Sequence, residues 1–147
     1  MPKRSGSAYH VVFSGSPGTN KIARRSIPDN FEINCGAYNV EILPHAAAVV
    51  CNSGMGIVLE ALRFGVPILA TPNHAFNSEV AYRLAELGLG IHLRNADLSP
   101  QNLQSGVHDL ISSSSIRDQI RWMQASILVG GGARRAADLL ESVLCTQ

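Results

Sequence analysis

The residues best suited to chemistry form one short run, Asn52-Ser53-Gly54-Met55-Gly56-Ile57. An apolar β-branched stretch precedes it and a segment of helical periodicity follows, so it reads as a strand-to-helix turn. Glycines there let the main chain approach a ligand closely. The helix behind presents amides without intrahelical partners and a partial positive charge. A diphosphate is the matching ligand. Any strand-to-helix turn also needs glycines for its geometry, and spacing alone gives the two readings similar weight.

Glu60 follows in the same helix. Its carboxylate can accept two hydrogen bonds from a ribose diol, although an acid that simply complements the helix dipole is the commoner case. Further on, Asn73, His74 and Asn77 follow a second apolar run and carry groups suited to sugar hydroxyls. The competing reading is a polar surface loop in which Asn77 or Ser78 caps the next helix.

Other chemistries find no support. Asn20 and Ile22 stand where a P-loop needs Gly and Ser or Thr. There is no GxSxG elbow and no carboxylate pair arranged for glycoside hydrolysis. His10, His92 and His108 show no metal-ligand spacing, and His45, beside an apolar run, reads as structural. No catalytic residue and no metal site are expected.

The elements that must position this turn alternate along the chain. Strands are predicted over 9–14, 31–35, 47–51, 66–70 and 90–93. A single helical turn is predicted near 40–45, and helices over 56–64, 76–87, 116–129 and 133–144, with another opening at Ser99-Pro100. Gly65 should cap the 56–64 helix in the left-handed conformation, and Pro67 forbids its continuation. Residues 19–30 read as loop, and residues 112–115 as a serine break. The run 47–51 is apolar without alternation, as in a fully buried parallel strand. Such alternation of strands and helices predicts an α/β fold with a doubly wound parallel sheet. Ligands then sit beyond the carboxyl ends of the strands, which places the turn after Cys51 and the loop after Thr71 in one crevice.

Composition is compatible with this. The chain has 147 residues, 46% of them hydrophobic and 16% charged, enough for one domain with a core covered on both sheet faces. A net charge of +1 and few aromatic residues argue against nucleic acid as partner. The three cysteines, Cys35, Cys51 and Cys145, form no CxxC and are expected to be reduced and buried. No apolar run reaches the roughly 18 residues a membrane span needs. No targeting signal is apparent, so a soluble, cytoplasmic protein is expected.

Residues 42–93 resemble the donor-binding domain of UDP-glycosyltransferases of the GT-B fold, in particular the macrolide and sterol/antibiotic type. The resemblance is carried by Leu43-Pro44-His45-Ala46, Gly54, Gly56, Leu59-Glu60-Ala61-Leu62, Gly65-Val66-Pro67, Pro72, Ala81, Arg83, Leu87-Gly88 and Gly90, without gaps. The run 131–140 is similar to the family's closing helix. The resemblance implies a Rossmann-like, three-layer α/β/α domain spanning 1–147, ordered from about residue 8 to 145, and equivalent to the C-terminal half of the GT-B fold. It implies a nucleotide sugar as ligand, with UDP-sugar as donor substrate and no metal or other cofactor. The diphosphate would rest on Asn52, Ser53, Gly54, Met55, Gly56 and Ile57, and the ribose on Glu60. Asn73, His74 and Asn77 would meet the sugar.

Several family positions differ. Asn52 replaces a histidine, Ile57 a hydroxyl residue, and Phe76-Asn77 an Asp-Gln pair. Gly36 stands near the residue that stacks on uracil, a role open to Tyr38. The function implied is the donor half of a UDP-dependent hexosyltransferase acting on a small acceptor. The alternatives are a degenerate or truncated nucleotide-binding or interaction module, and one subunit of a two-chain glycosyltransferase. The direct run from Ile27 to the later motifs matches residues 9–15 to the family's second strand, which leaves the first strand without a counterpart and implies an acceptor-domain partner chain or a homodimer at the sheet edge. Without an acceptor half, the chain itself is expected to be inactive in transfer.

Overall fold

The computed structural model describes residues 9–15, 27–34 and 36–145. The N-terminal basic segment, most of the 19–30 loop and Cys35 lie outside the described residues. The chain divides into two compact units, Met1–Ile42 and Leu43–Gln147.

In the first unit, strands β1 (Val11–Ser14) and β2 (Phe31–Asn34) pair in parallel, with Val11 opposite Phe31 and Ser14 opposite Asn34. The Asn30 side chain donates to the Tyr9 carbonyl at 2.8 Å, and the Val11 amide donates to the Asn30 carbonyl at 2.8 Å. These two bonds fix the register from its N-terminal end. A four-residue helix, α1 (Asn39–Ile42), follows.

The second unit is a three-stranded parallel sheet in the order β3 (Val49–Cys51), β4 (Ile68–Ala70), β5 (Gly90–His92). A 3₁₀ turn, Leu43–His45, leads into β3. Helix α2 (Met55–Phe64) connects β3 to β4, and α3 (Ala75–Glu86) connects β4 to β5. Helices α4 (Pro100–Ser112), α5 (Ser114–Val129) and α6 (Gly132–Leu144) complete the chain.

Alternation along β4 sorts the two faces of the sheet. Ile68 and Ala70 join Val58, Ala61 and Leu62 of α2, Ala81 and Leu84 of α3, and Ile120 of α5 in the main core. Leu69 points to the other face, where it meets α4. A Cβ at Gly106 would lie 3.1 Å from Leu69 Cδ1, so the glycine lets α4 settle closely on the sheet. The unit is therefore α/β/α in three layers, as expected.

Local signals set the helix ends. Gly65 adopts φ 72°; its amide donates to Leu62 and that of Val66 to Ala61, which closes α2 with a left-handed cap. Ser99 Oγ accepts the Asn102 amide at 3.1 Å, and Pro100 opens α4. Among the described residues, no helix is long and apolar enough to cross a membrane.

Some expectations need correction. The strand expected over 47–51 is only Val49–Cys51, and Val50 is 47% exposed rather than buried. Within this sheet β3 is an edge strand, with cover on the face of Val49 and Cys51. The serine break shrinks to Ser113, which accepts the Ile116 amide and caps α5. Cys145 is exposed and Cys51 half-buried, so buried thiols do not describe either. The final helix is amphipathic as predicted, yet none of its residues is buried.

Candidate diphosphate seat and adjoining cavity

The main chain between β3 and α2 forms an open corner. Asn52, Met55 and Gly56 are exposed, Gly54 and Ile57 half-buried. Gly54 is the N-cap of α2 and, lacking a side chain, cannot close the helix end. The first helical amide bond runs from Val58 to the Gly54 carbonyl at 3.1 Å. The amides of Met55, Gly56 and Ile57 therefore precede the hydrogen-bonded ladder and gain no side-chain cap. A Cβ at Gly56 would meet nothing within 4 Å, so this approach is unobstructed.

Two other amides in the turn are engaged. Asn52 Oδ1 accepts the Gly54 amide at 3.2 Å. The Ser53 amide bonds to the Cys51 thiol. Burial pushes that thiol above its ordinary value, and the Ser53 amide partly opposes the shift. Ser53 itself has φ 64° and is fully buried, with its hydroxyl unpartnered. Its side chain is enclosed within the protein and shapes the turn.

Glu60 is the sixth residue of α2, beyond the first turn. It lies one turn after the exposed Gly56, on the same helical face. This geometry removes the simple reading of a first-turn acid. Tyr38, in the first unit, is 73% exposed.

The loop after β4 is tied to β3 through Thr71. Its amide and hydroxyl both bond to the Cys51 carbonyl, at 2.8 and 3.2 Å. Beyond this tie, Asn73 and His74 line a solvent-open surface cavity of about 400 Å³ with Pro72, Ala75, Ser78, His92, Arg94 and Asn95, most of them exposed. Asn77 is half-buried in α3 and is not among these lining residues. Neither Asn77 nor Ser78 caps α3; the N-cap is His74, and Ser78 Oγ donates back to the His74 carbonyl at 3.1 Å.

His92, Arg94 and Asn95 had no signal of their own in the sequence. They reach the cavity because β4 and β5 are neighbours, with the Leu93 amide bonded to the Ala70 carbonyl at 2.9 Å. Arg94 is held by Asp97, Nε to Oδ2 at 2.7 Å.

Residues 11–132 match the family model of the erythromycin biosynthesis protein CIII-like C-terminal domain. An NDP-glycosyltransferase, YjiC of Bacillus licheniformis, is 36% identical over 118 residues, covering 80% of this chain and 30% of its own. The oleandomycin glycosyltransferase of Streptomyces antibioticus is 30% identical, covering 92% of this chain and 32% of its own. The crystal structure of the calicheamicin glycosyltransferase CalG4 superposes with a TM-score of 0.88 at 34% identity, covering 95% of this chain and 36% of that one. The chain thus spans about a third of the length of the relatives it matches. With its parallel α/β/α unit and open β3–α2 corner, the chain belongs to the erythromycin biosynthesis protein CIII-like C-terminal domain family, within GT-B glycosyltransferases.

Proposed function

We propose that this chain is the donor-binding half of a UDP-dependent hexosyltransferase that delivers a sugar to a small acceptor. One observation carries the proposal: the uncapped start of α2, at the carboxyl end of β3, is open to a ligand. Diphosphate oxygens accept from the Met55, Gly56 and Ile57 amides, helped by the helix dipole. Glu60, one turn below, accepts the ribose hydroxyls. Asn73 and His74 serve the sugar. Charge developing on the departing diphosphate meets the same preorganised amides, with no metal or other cofactor.

Transfer also requires an acceptor-binding half, so a partner domain or chain completes the enzyme, and it works in the cytoplasm. The relatives' names support the reading: they include NDP-glycosyltransferases, and a similar structure, of VinC, was determined with dTDP. A non-catalytic interaction module is not favoured, because the corner retains its open amides.

Calorimetric titration with UDP and dTDP tests the seat. Micromolar binding is expected, and loss of binding at millimolar ligand would overturn the reading. Incubation with UDP-glucose and a panel of acceptors tests the division of labour. The chain alone should transfer no sugar.

A further inference from the structure

The donor-binding reading gives Asn73 and His74 to the sugar but leaves the rest of the cavity beyond β4 and β5 unexplained. Its polar lining comes from Asn73, His74, Ser78, His92, Arg94 and Asn95. The list contains one guanidinium, two imidazoles and two carboxamides, but no carboxylate. Ser78 is occupied with the His74 carbonyl. Arg94 uses Nε on Asp97, which steadies the guanidinium and leaves both terminal nitrogens for another acceptor. A planar guanidinium fixed in this way matches a carboxylate in a two-pronged contact.

A neutral hexose asks for donors and acceptors in similar numbers. Asp97 offsets the charge of Arg94, so it is the geometry of the two terminal guanidinium nitrogens, set for a two-pronged contact, that favours a sugar bearing a carboxylate. Position agrees with this. The seat lies beyond β3 and the cavity beyond β4 and β5, in one parallel sheet whose strands lie about 4.8 Å apart. A group in the cavity is then displaced by one or two strand spacings from a diphosphate at α2, the direction and scale expected of the sugar attached to it.

We propose that the cavity selects a donor whose sugar bears a carboxylate, a nucleoside diphosphate hexuronate, with Arg94 reading the acid and Asp97 positioning Arg94. This inference rests on the donor-binding reading above. His74, His92, Asn73 and Asn95 then address the remaining hydroxyls.

The test compares the dissociation constants of UDP, UDP-glucose and UDP-glucuronate with the full chain by calorimetry. UDP-glucuronate should bind at least about tenfold more tightly than UDP-glucose, the scale of one charge-assisted hydrogen-bond pair. Arg94→Gln should bring the two constants together, and Arg94→Lys should restore part of the gap. Equal constants in the parent chain, or a gap that survives Arg94→Gln, would overturn the inference while UDP binding left the donor reading intact. Failure of all three nucleotides to bind would overturn both.

Discussion

Asn52 and Ser53 show how a single residue can govern a main-chain site. Asn52 Oδ1 holds the Gly54 amide at 3.2 Å, so it competes with any oxyanion for that donor and adds its own negative lone pairs to the corner. Asn52→Ala should tighten UDP binding by about fivefold, the worth of one neutral hydrogen bond returned to the ligand; weaker binding in the same titration would show that the side chain organises the seat. Ser53 combines a left-handed φ with a buried, unpartnered hydroxyl. Strain at a non-glycine residue and an orphaned hydroxyl each cost on the order of 1–3 kcal/mol, against roughly 1 kcal/mol for the added backbone freedom of glycine. Ser53→Gly should therefore stabilise the fold by about 1 kcal/mol, read as a rise in melting temperature of about 2–4 °C. Cys51 differs from Cys145 in the same physical terms. Its raised pKa keeps it protonated, whereas Cys145 is exposed. In a Cys35→Ala background, a thiol reagent should modify Cys145 well before Cys51. Because the folded state holds the Cys51 proton more tightly than the unfolded state, the associated stability is full at neutral pH. It is lost as pH climbs above the ordinary value of 9.0 toward the folded one. Cys51→Ala should flatten this alkaline decline in melting curves.

At the scale of elements, glycine decides where strands and helices meet. Gly90 opens β5 against β4, and a Cβ there would overlap the Ile68 carbonyl oxygen. That obstacle is main chain and cannot swing aside. Gly90→Ala should cost about 3 kcal/mol, roughly 6–12 °C in melting temperature, by forcing β5 off β4. At Gly65 the neighbour is instead the Gln124 side chain, whose Nε2 donates to the Arg63 carbonyl at 3.1 Å and ties α5 to the end of α2. These junctions explain what was legible in the sequence. Gly65-Val66-Pro67 and Ser99-Pro100 carry their instructions within a few residues, so the end of α2 and the start of α4 could be read directly. The Asn52–Ile57 corner was legible for the same reason. The cavity was not, because His92 and Arg94 gain their place only from the pairing of β5 with β4, and no local pattern reports that. Val50 misled because an apolar run carries no information about which strand lies at an edge. The capping of α3 misled because His74, without a side-chain cap bond, leaves no residue signature.

At the scale of the molecule, helix α6 stands apart from the packing that holds the second unit. Leu139, Leu140, Val143 and Leu144 are each more than half exposed, and no residue of the helix is buried. The core gathers Ile120 from α5, with Ile116, Met123 and Ile127 packed against it, and among the described residues takes nothing from beyond residue 127. The family model ends at residue 132, whereas the match to CalG4 covers 95% of the chain and reaches into α6. A 13-residue helix without tertiary cover is marginal in water, since nucleation is costly and little apolar area is removed from solvent. Its amides should accordingly exchange with solvent far faster than those of α2 and α5 in the same chain. A chain ending at Gly131 should melt within about 2 °C of the parent, because less than about 1 kcal/mol of folding free energy resides in the removed helix. It should also bind UDP with an unchanged dissociation constant, because the seat is built from β3 and α2 alone. Slow exchange in α6, or a truncated chain that melts many degrees lower, would show that the helix is covered in solution and belongs to the folded core.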